Sequence, residues 1–375
     1  MVFSNGKSDL SKYCEGDVCE ILRAGSTASR NIVVQQGSMD TTGGQRTFKV
    51  RRLYVMDKKP SDGAFAKIQP LASSDKIDMG DWKEVLKFIQ YSKSNFPAAG
   101  YLLIIAGHAT GWIAGQPKPM SGDDLFSSDR SGGFIAPDFE TGNFISTEEM
   151  AQLMKAAGRI DVLAYDSCFM ADIAVDAQIS TYVNYIVASE DVEPLTGYNY
   201  TRILNKFSEK PQMDAKEAAV SLATAFGQSY PSGESVTTSA IDSKKIQLLS
   251  RHTANFVKLA LASPDKKALV SAYKQAHRFT FPHAADYYDF LRLVNEKTTD
   301  AKLKAYASGM MQFLSSEVVL KNIAYGKHAG KAHGLACYLP LKQYDYHYDD
   351  LLFGKITGWG ELVKQLQEAE ASGTR

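Results

Sequence analysis

Two apolar runs restrict the folds open to this chain more than any other feature. "YLLIIAG", from Tyr101, and "IDVLAYD", Ile160 to Asp166, are too uniformly apolar to leave a face in water. Such runs read as central strands of a parallel sheet covered by helices on both faces. The glycines bounding the first run disfavour the alternative, a short buried helix. Between the runs, Ser146 and Glu149 form a capping box at the head of "STEEMAQLMKAAG", so a helix connects them. The order strand, helix, strand implies a parallel pair with a right-handed crossover.

The flanking segments extend this pattern. "NIVVQQ" (Asn31 to Gln36) and "TFKVRRLYVMD" (Thr47 to Asp57) have strand composition and are separated by the Gly-rich "GSMDTTGGQ", which suggests a hairpin. "MGDWKEVLKFIQYSKSNFP" has helical spacing, "FMADIAVDAQISTY" is amphipathic, and "YIVASED" (Tyr185 to Asp191) reads as another core strand. Alternation of this kind indicates an α/β sheet with helices on both faces. From about residue 243 helices dominate in "SKKIQLLSRHTANFVKLALA", "DKKALVSAYKQAHRF" and "DAKLKAYASGMMQFLSSEVVL", interrupted by one strand-like run, "GLACYLP" (Gly334 to Pro340). The expected division is therefore a sheet domain over 1–242 and a mainly helical region over 243–375. Residues 111–145 are rich in Gly, Ser, Pro and Asp and show no lasting period, so they form a long exposed loop in which Lys118 and Arg130 are open to proteolysis.

Composition narrows the function classes. The 42 basic and 42 acidic side chains cancel, which gives no general attraction to nucleic acid or anionic membrane. No apolar run approaches the roughly 20 residues that span a bilayer. Met1 leads straight into "VFSNGKSDL" without an export signal, so the expectation is either a cytosolic protein or one whose signal has been removed. Cys14, Cys19, Cys168 and Cys337 are too few and scattered for a disulfide framework. Cys14 and Cys19, on a probable first helix, read as buried small hydrophobes. No CxxC or HExxH pattern occurs, which argues against a metal enzyme.

In open parallel sheets, ligands sit beyond the carboxyl ends of the strands. His108 and Cys168 both occupy such ends, sixty residues apart, with room between them for one loop and one crossover helix. On neighbouring strands they would form a Cys/His pair, a thiolate to attack a carbonyl carbon and an imidazole to hand a proton to a leaving amine. The residues alone leave two plainer readings open, a polar rim histidine and a packed cysteine.

The text around both residues bears on the choice. "LLIIAGHATGW", "DVLAYDSCFMADIAV" and "YIVASEDVEPLTGYNY" resemble, in order and spacing, three blocks of the clostripain family of cysteine endopeptidases, relatives of caspases, gingipains and legumain. "GDWKEVLKFIQYSKSNFPAAGYLLI", "TTSAIDSKKI" and "GLACYLPLKQYDYHYDDLLFGKITGW" look like further landmarks, so the resemblance spans about residues 2 to 365. It implies a caspase-like three-layer α/β/α sandwich with a mostly parallel sheet, with His108 as catalytic histidine and Cys168 as nucleophile. The backbone N–H groups of Ala109 and Cys168 would hold the oxyanion. Ala109 departs from the family's usual Gly; it keeps the N–H unless the backbone there needs a positive φ. Ser167 as an alternative nucleophile has no neighbouring base.

Asp166, two residues before Cys168, would lie beside the thiol, and a carboxylate at the bottom of a cleft favours guanidinium. The family places its selectivity for basic residues at this position, which implies polypeptide cleavage after Arg, with Lys as the second candidate; the plainer role is a cap for the helix near Phe169. Glu190 and Glu193 could line the same cleft, and Trp112 either walls the site or packs. The resemblance further implies self-cleavage in the 111–145 loop, with Arg130 first and Lys118 second as sites. It implies extracytoplasmic residence in a bacterium, and no cofactor beyond a calcium ion that some members require, for which "SGDD" is the acidic candidate. The rival class is a non-catalytic peptide-binding protein on the same scaffold.

Overall fold

In the computed structural model the described residues are 1–57, 65–112 and 134–373. Lys118, Arg130 and "SGDD" lie outside them. The chain opens with β1 (Val2–Gly6), α1 (Ser11–Ala24), β2 (Ile32–Asp40), β3 (Thr47–Val55) and β4 (Ile68–Ser74). The strand–helix alternation follows with α2 (Trp82–Asn95), β5 (Leu102–Ala106), α3 (Thr147–Ala157), β6 (Ile160–Asp166), α4 (Ile173–Ile179) and β7 (Val183–Ala188). Next come α5 (Tyr200–Glu209), α6 (Ala215–Gly227), β8 (Thr237–Asp242), α7 (Ser243–Ala262), α8 (Lys266–Gln275), β9 (Ala284–Asp286), α9 (Tyr287–Lys297) and α10 (Ala301–Phe313). The last elements are β10 (Val319–Ala324), β11 (Ala336–Tyr338), α11 (Leu352–Thr357) and α12 (Trp359–Ala371).

Nine strands form one sheet in the order β10-β8-β7-β6-β5-β1-β2-β3-β4. The five central strands, β7 to β2, run parallel, and antiparallel pairs close both margins. The two apolar runs are the adjacent strands β5 and β6, registered from Leu102 opposite Val162 to Ala106 opposite Asp166. Alternate side chains enter different layers, as strand geometry demands. Leu103, Ile105, Leu163 and Tyr165 join an apolar cluster with α2, α3, α4 and α7, whereas Ile104, Val162 and Ala164 pack with α1, α5 and α6 on the other face. Both faces are therefore dry, which is why these strands carry no polar alternation. The capping box of α3 is formed: Ser146 Oγ accepts from Glu149 N, and Glu149 Oε2 accepts from Ser146 N, an arrangement that contributes about 1 kcal/mol.

The hairpin forms as β2 and β3, antiparallel from Ile32 opposite Val55 to Asp40 opposite Thr47. Four differences from the sequence reading stand out. β1, β4, β8, β9 and β10 have no counterpart in it, and the helix read to the end of "SSEVVL" stops at Phe313, passes through one wide turn and becomes β10. The β-branched Val318, Val319 and later Ile323 suit the sheet edge better than a helix. Cys14 is buried but Cys19 is exposed, because a five-residue step on a helix rotates the second side chain off the buried face. The returning part of the long loop is not exposed: Phe134 to Asp138 are buried, with Ile135 bridged to both Ala109 and Ile145. The region after residue 243 gives β10 to the sheet, and its Tyr287, Phe290 and Trp359 share one apolar cluster with Leu103 and Leu163.

Candidate active site

The register of β5 and β6 fixes the two candidate side chains. His108 and Cys168 each stand two residues beyond the facing pair Ala106 and Asp166, at the carboxyl ends of adjacent parallel strands. After β5 the chain passes Gly107 at φ 142°, where a Cβ would come within 3.1 Å of the Asn5 carbonyl oxygen. Only glycine fits that approach. His108 follows, its carbonyl accepting from Ala136 N at 2.9 Å and its ring lying parallel to Phe139, with centroids 6.4 Å apart. Its Nε2 is 2.7 Å from Asp9 Oδ1, and this hydrogen bond holds the Asp9 carboxyl below the usual range.

Cys168 opens the turn between β6 and α4. Phe169 takes φ 60°, a left-handed conformation costly for a residue with a Cβ. Two contacts hold it there: its N–H donates to the Asp191 carbonyl at 3.2 Å, and its ring stacks on Phe281 with centroids 4.4 Å apart. The half-buried Cys168 Sγ accepts from Glu193 N at 3.3 Å. Burial, followed by the charges of Glu193, Asp191 and Asp166, pushes the thiol up to about 12, so in this form the sulfur carries its proton.

Beside the thiol lies a group of buried carboxyls. Asp166 is only 8 % exposed; its Oδ1 accepts from Tyr198 N at 3.0 Å and its Oδ2 from Tyr200 Oη at 2.8 Å. It caps no helix, for the N-cap of α4 is Asp172. Gly197, at φ 53°, closes against it, and a Cβ there would fall 2.5 Å from Oδ1. Burial pushes Asp166 up to about 6 despite the Tyr200 and Tyr198 bonds, and burial together with Asp166 raises Glu193 well above the usual range. The two carboxyls are close neighbours, so ionisation of one disfavours that of the other. From α1, Asp17 joins them, pushed up to about 9 by burial and then by Asp166 and Glu20. The leading charges on this group are acidic, which suits it to receive a cation.

The other expected residues fall as follows. Glu190 is buried, its Oε2 accepting from Gly334 N at 2.9 Å, and it lines a small cavity with Trp112 and Phe169, while Glu193 is the one that neighbours Asp166. Ala109 is not among the positive-φ residues, so its Cβ introduces no backbone strain. Ser167 is buried and donates to the Ile105 carbonyl at 3.4 Å. Trp112 packs edge-on against Tyr338 and Tyr348, each with centroids 5.1 Å away. Asp9 and Asp17 were not singled out from the sequence, because only the insertion of β1 between β5 and β2 brings that segment to the site. Among the described residues no group of three or more His, Cys, Asp or Glu could hold a metal ion. No described helix is long and apolar enough to cross a membrane.

The sequence profile of the clostripain family matches residues 2–365. The chain belongs to the clostripain family. It is thus a cysteine peptidase, a hydrolase acting on polypeptides. Two solved structures share its caspase-like fold. A secreted C11 cysteine protease from Bacteroides thetaiotaomicron, in complex with an irreversible peptide inhibitor, is 14% identical with a TM-score of 0.69, over 96% of this chain and 98% of that one. An inactive zymogen C11 protease from Parabacteroides distasonis is 16% identical with a TM-score of 0.67, over 95% of this chain and 96% of that one. No curated protein matches the chain.

Proposed function

We propose that this clostripain-family peptidase cleaves polypeptides after Arg, and also Lys, through a thioester formed on Cys168 with His108 as proton carrier. The observation that carries the reading is the group of buried carboxyls, Asp166, Glu193 and Asp17, beside the thiol, with Glu193 N bonded to Cys168 Sγ. A guanidinium entering the group pairs with carboxylates that otherwise raise the thiol's affinity for its proton, so a basic side chain both anchors the substrate and eases ionisation of the nucleophile. The thiol proton passes to the imidazole, sulfur bonds to the scissile carbonyl carbon, and the backbone N–H groups of Ala109 and Cys168 receive the developing negative charge. The imidazolium then protonates the departing amine as the C–N bond breaks. Water, deprotonated by the same imidazole, hydrolyses the thioester and restores the thiol.

Maturation by self-cleavage at Arg130, with Lys118 as second site, and residence outside the cytoplasm complete the reading. The protonated thiol of the continuous chain accords with a precursor awaiting its substrate or its cut. Cys168→Ala tests the proposal: hydrolysis of Arg-containing fluorogenic peptides should vanish, and the chain should stay in one piece on denaturing gels. Retained turnover in that variant overturns it. Labelling of Cys168 by an Arg chloromethyl ketone separates the peptidase from a peptide-binding protein, which would stay unlabelled.

A further inference from the structure

We propose that Asp9 is the positioning residue of the site, fixing the tautomer and orientation of His108, so that the reactive group is Asp–His–Cys. The inference rests on the reading of Cys168 and His108 given above. β1 lies beside β5, with Ser4 opposite Ala106, and its continuation brings Asp9 to the rim where β5 delivers His108. The backbone around Asp9 is tied on both sides. Lys7 N donates to Asn5 Oδ1 at 3.2 Å and Lys7 carbonyl accepts from Phe139 N at 2.9 Å, while Leu10 N donates to Ser8 Oγ at 3.2 Å and Ser11 N to the Ser8 carbonyl at 3.2 Å. Lys7 itself is buried against Asp138 at 2.8 Å, and the same returning loop supplies Phe139, stacked on the imidazole. A short aspartate on a fixed turn loses little entropy when it holds the ring.

The contact uses Nε2, at 2.7 Å from Asp9 Oδ1. With its proton donated to the carboxylate, Nε2 leaves the lone pair on Nδ1, and that nitrogen takes the proton from the thiol and returns it to the leaving amine. In the imidazolium the Nε2–H bond to Asp9 is charge-assisted and stronger than in the neutral ring, so the carboxylate favours the ionised pair and not the resting one. Asp9 touches neither substrate nor sulfur and works only through His108.

The test uses the full chain with Asp9→Asn and Asp9→Glu. On an Arg amide substrate, Asp9→Asn should lower kcat by about tenfold, the size of one hydrogen bond to a charged group, with KM unchanged, and Asp9→Glu should recover most of the loss. Nitrogen-15 spectra of the neutral His108 ring, taken in a Cys168→Ala background, should show the proton on Nε2, and a tautomer mixture once Asp9→Asn is added. Wild-type kcat in Asp9→Asn, or a proton residing on Nδ1, overturns the proposal. If the parent chain neither cleaves nor labels with the chloromethyl ketone, the peptidase reading fails by itself, and the ring spectra still decide whether Asp9 sets the tautomer.

Discussion

On the proposed reading, the surroundings of Asp166 translate into a measurable selectivity. Its carboxyl must be ionised to hold a guanidinium, and burial has pushed it up to about 6 in the free protein. The charged form of an acid dominates above its pKa, so preference for a basic residue strengthens as pH rises through about 6 and fades below it. The ratio of kcat/KM for an Arg peptide to that for the neutral, nearly isosteric citrulline peptide isolates this effect, because the thiol and imidazole titrations cancel. The ratio should climb between about pH 5 and 7 and become flat and small in Asp166→Asn; a ratio independent of pH in the parent would remove Asp166 from substrate selection. The identity of Asp166 and its nearness to Cys168 were legible in the sequence, since they follow from two-residue spacing at a strand end. Glu193 was read as a neighbour of the same cleft, but Asp17 was not, because it arrives from α1 and no local pattern records that meeting.

At the scale of elements, α4 starts on a carboxylate placed in the dry interior. Asp172 caps the helix, accepting from Ala174 N at 2.8 Å, and burial pushes it up to about 7 from an ordinary 3.8. The folded chain therefore keeps a proton that the unfolded chain releases from about pH 4 upward. Stability is lost as pH rises from about 4 to about 7, and the loss from this group ceases above that. Asp172→Asn keeps the cap, since the amide oxygen accepts the same N–H bond, and removes the ionisation. Its melting temperature should match the parent near pH 4 and exceed it at pH 8, by a stability gain of at most about 4 kcal/mol. Equal melting at both pH values would mean that Asp172 does not carry the strain. Elements with one dry face or two were the readable ones: β5, β6, α2 and α3 declare themselves by periodicity and capping. β1, with Ser4 and Asn5 in its five residues, and the edge strands β4 and β10 carry too few apolar positions to do so, although β1 is the strand that brings Asp9 to His108.

For the molecule as a whole, the long loop divides the chain at a revealing point. A cut between residues 113 and 133 leaves β1 to β5 with α1 and α2 on one piece and every later element on the other. The boundary between the pieces runs through the middle of the sheet, along the five-residue register of β5 with β6. It also runs through the core, where Phe3, Phe88 and Leu103 from the first piece pack in one cluster with Met150, Leu153 and Leu163 from the second. Each such side chain contributes about 1.5–3 kcal/mol on burial, and the contact resembles a domain core cut in half, the hallmark of obligate partners. Asn5 Nδ2 adds hydrogen bonds to the carbonyls of Ala136 at 2.8 Å and Pro137 at 2.9 Å, which hold the start of the second piece against the end of β1. Protein cut in this loop should therefore elute as one species in native gel filtration, in high salt as in low, because apolar burial is not screened. The pieces should part only in denaturant, at the same concentration at which helix and sheet are lost, and should not regain activity when one is refolded without the other. Fragments that separate in native buffer would show that the paired strands and shared core do not hold the cut molecule together.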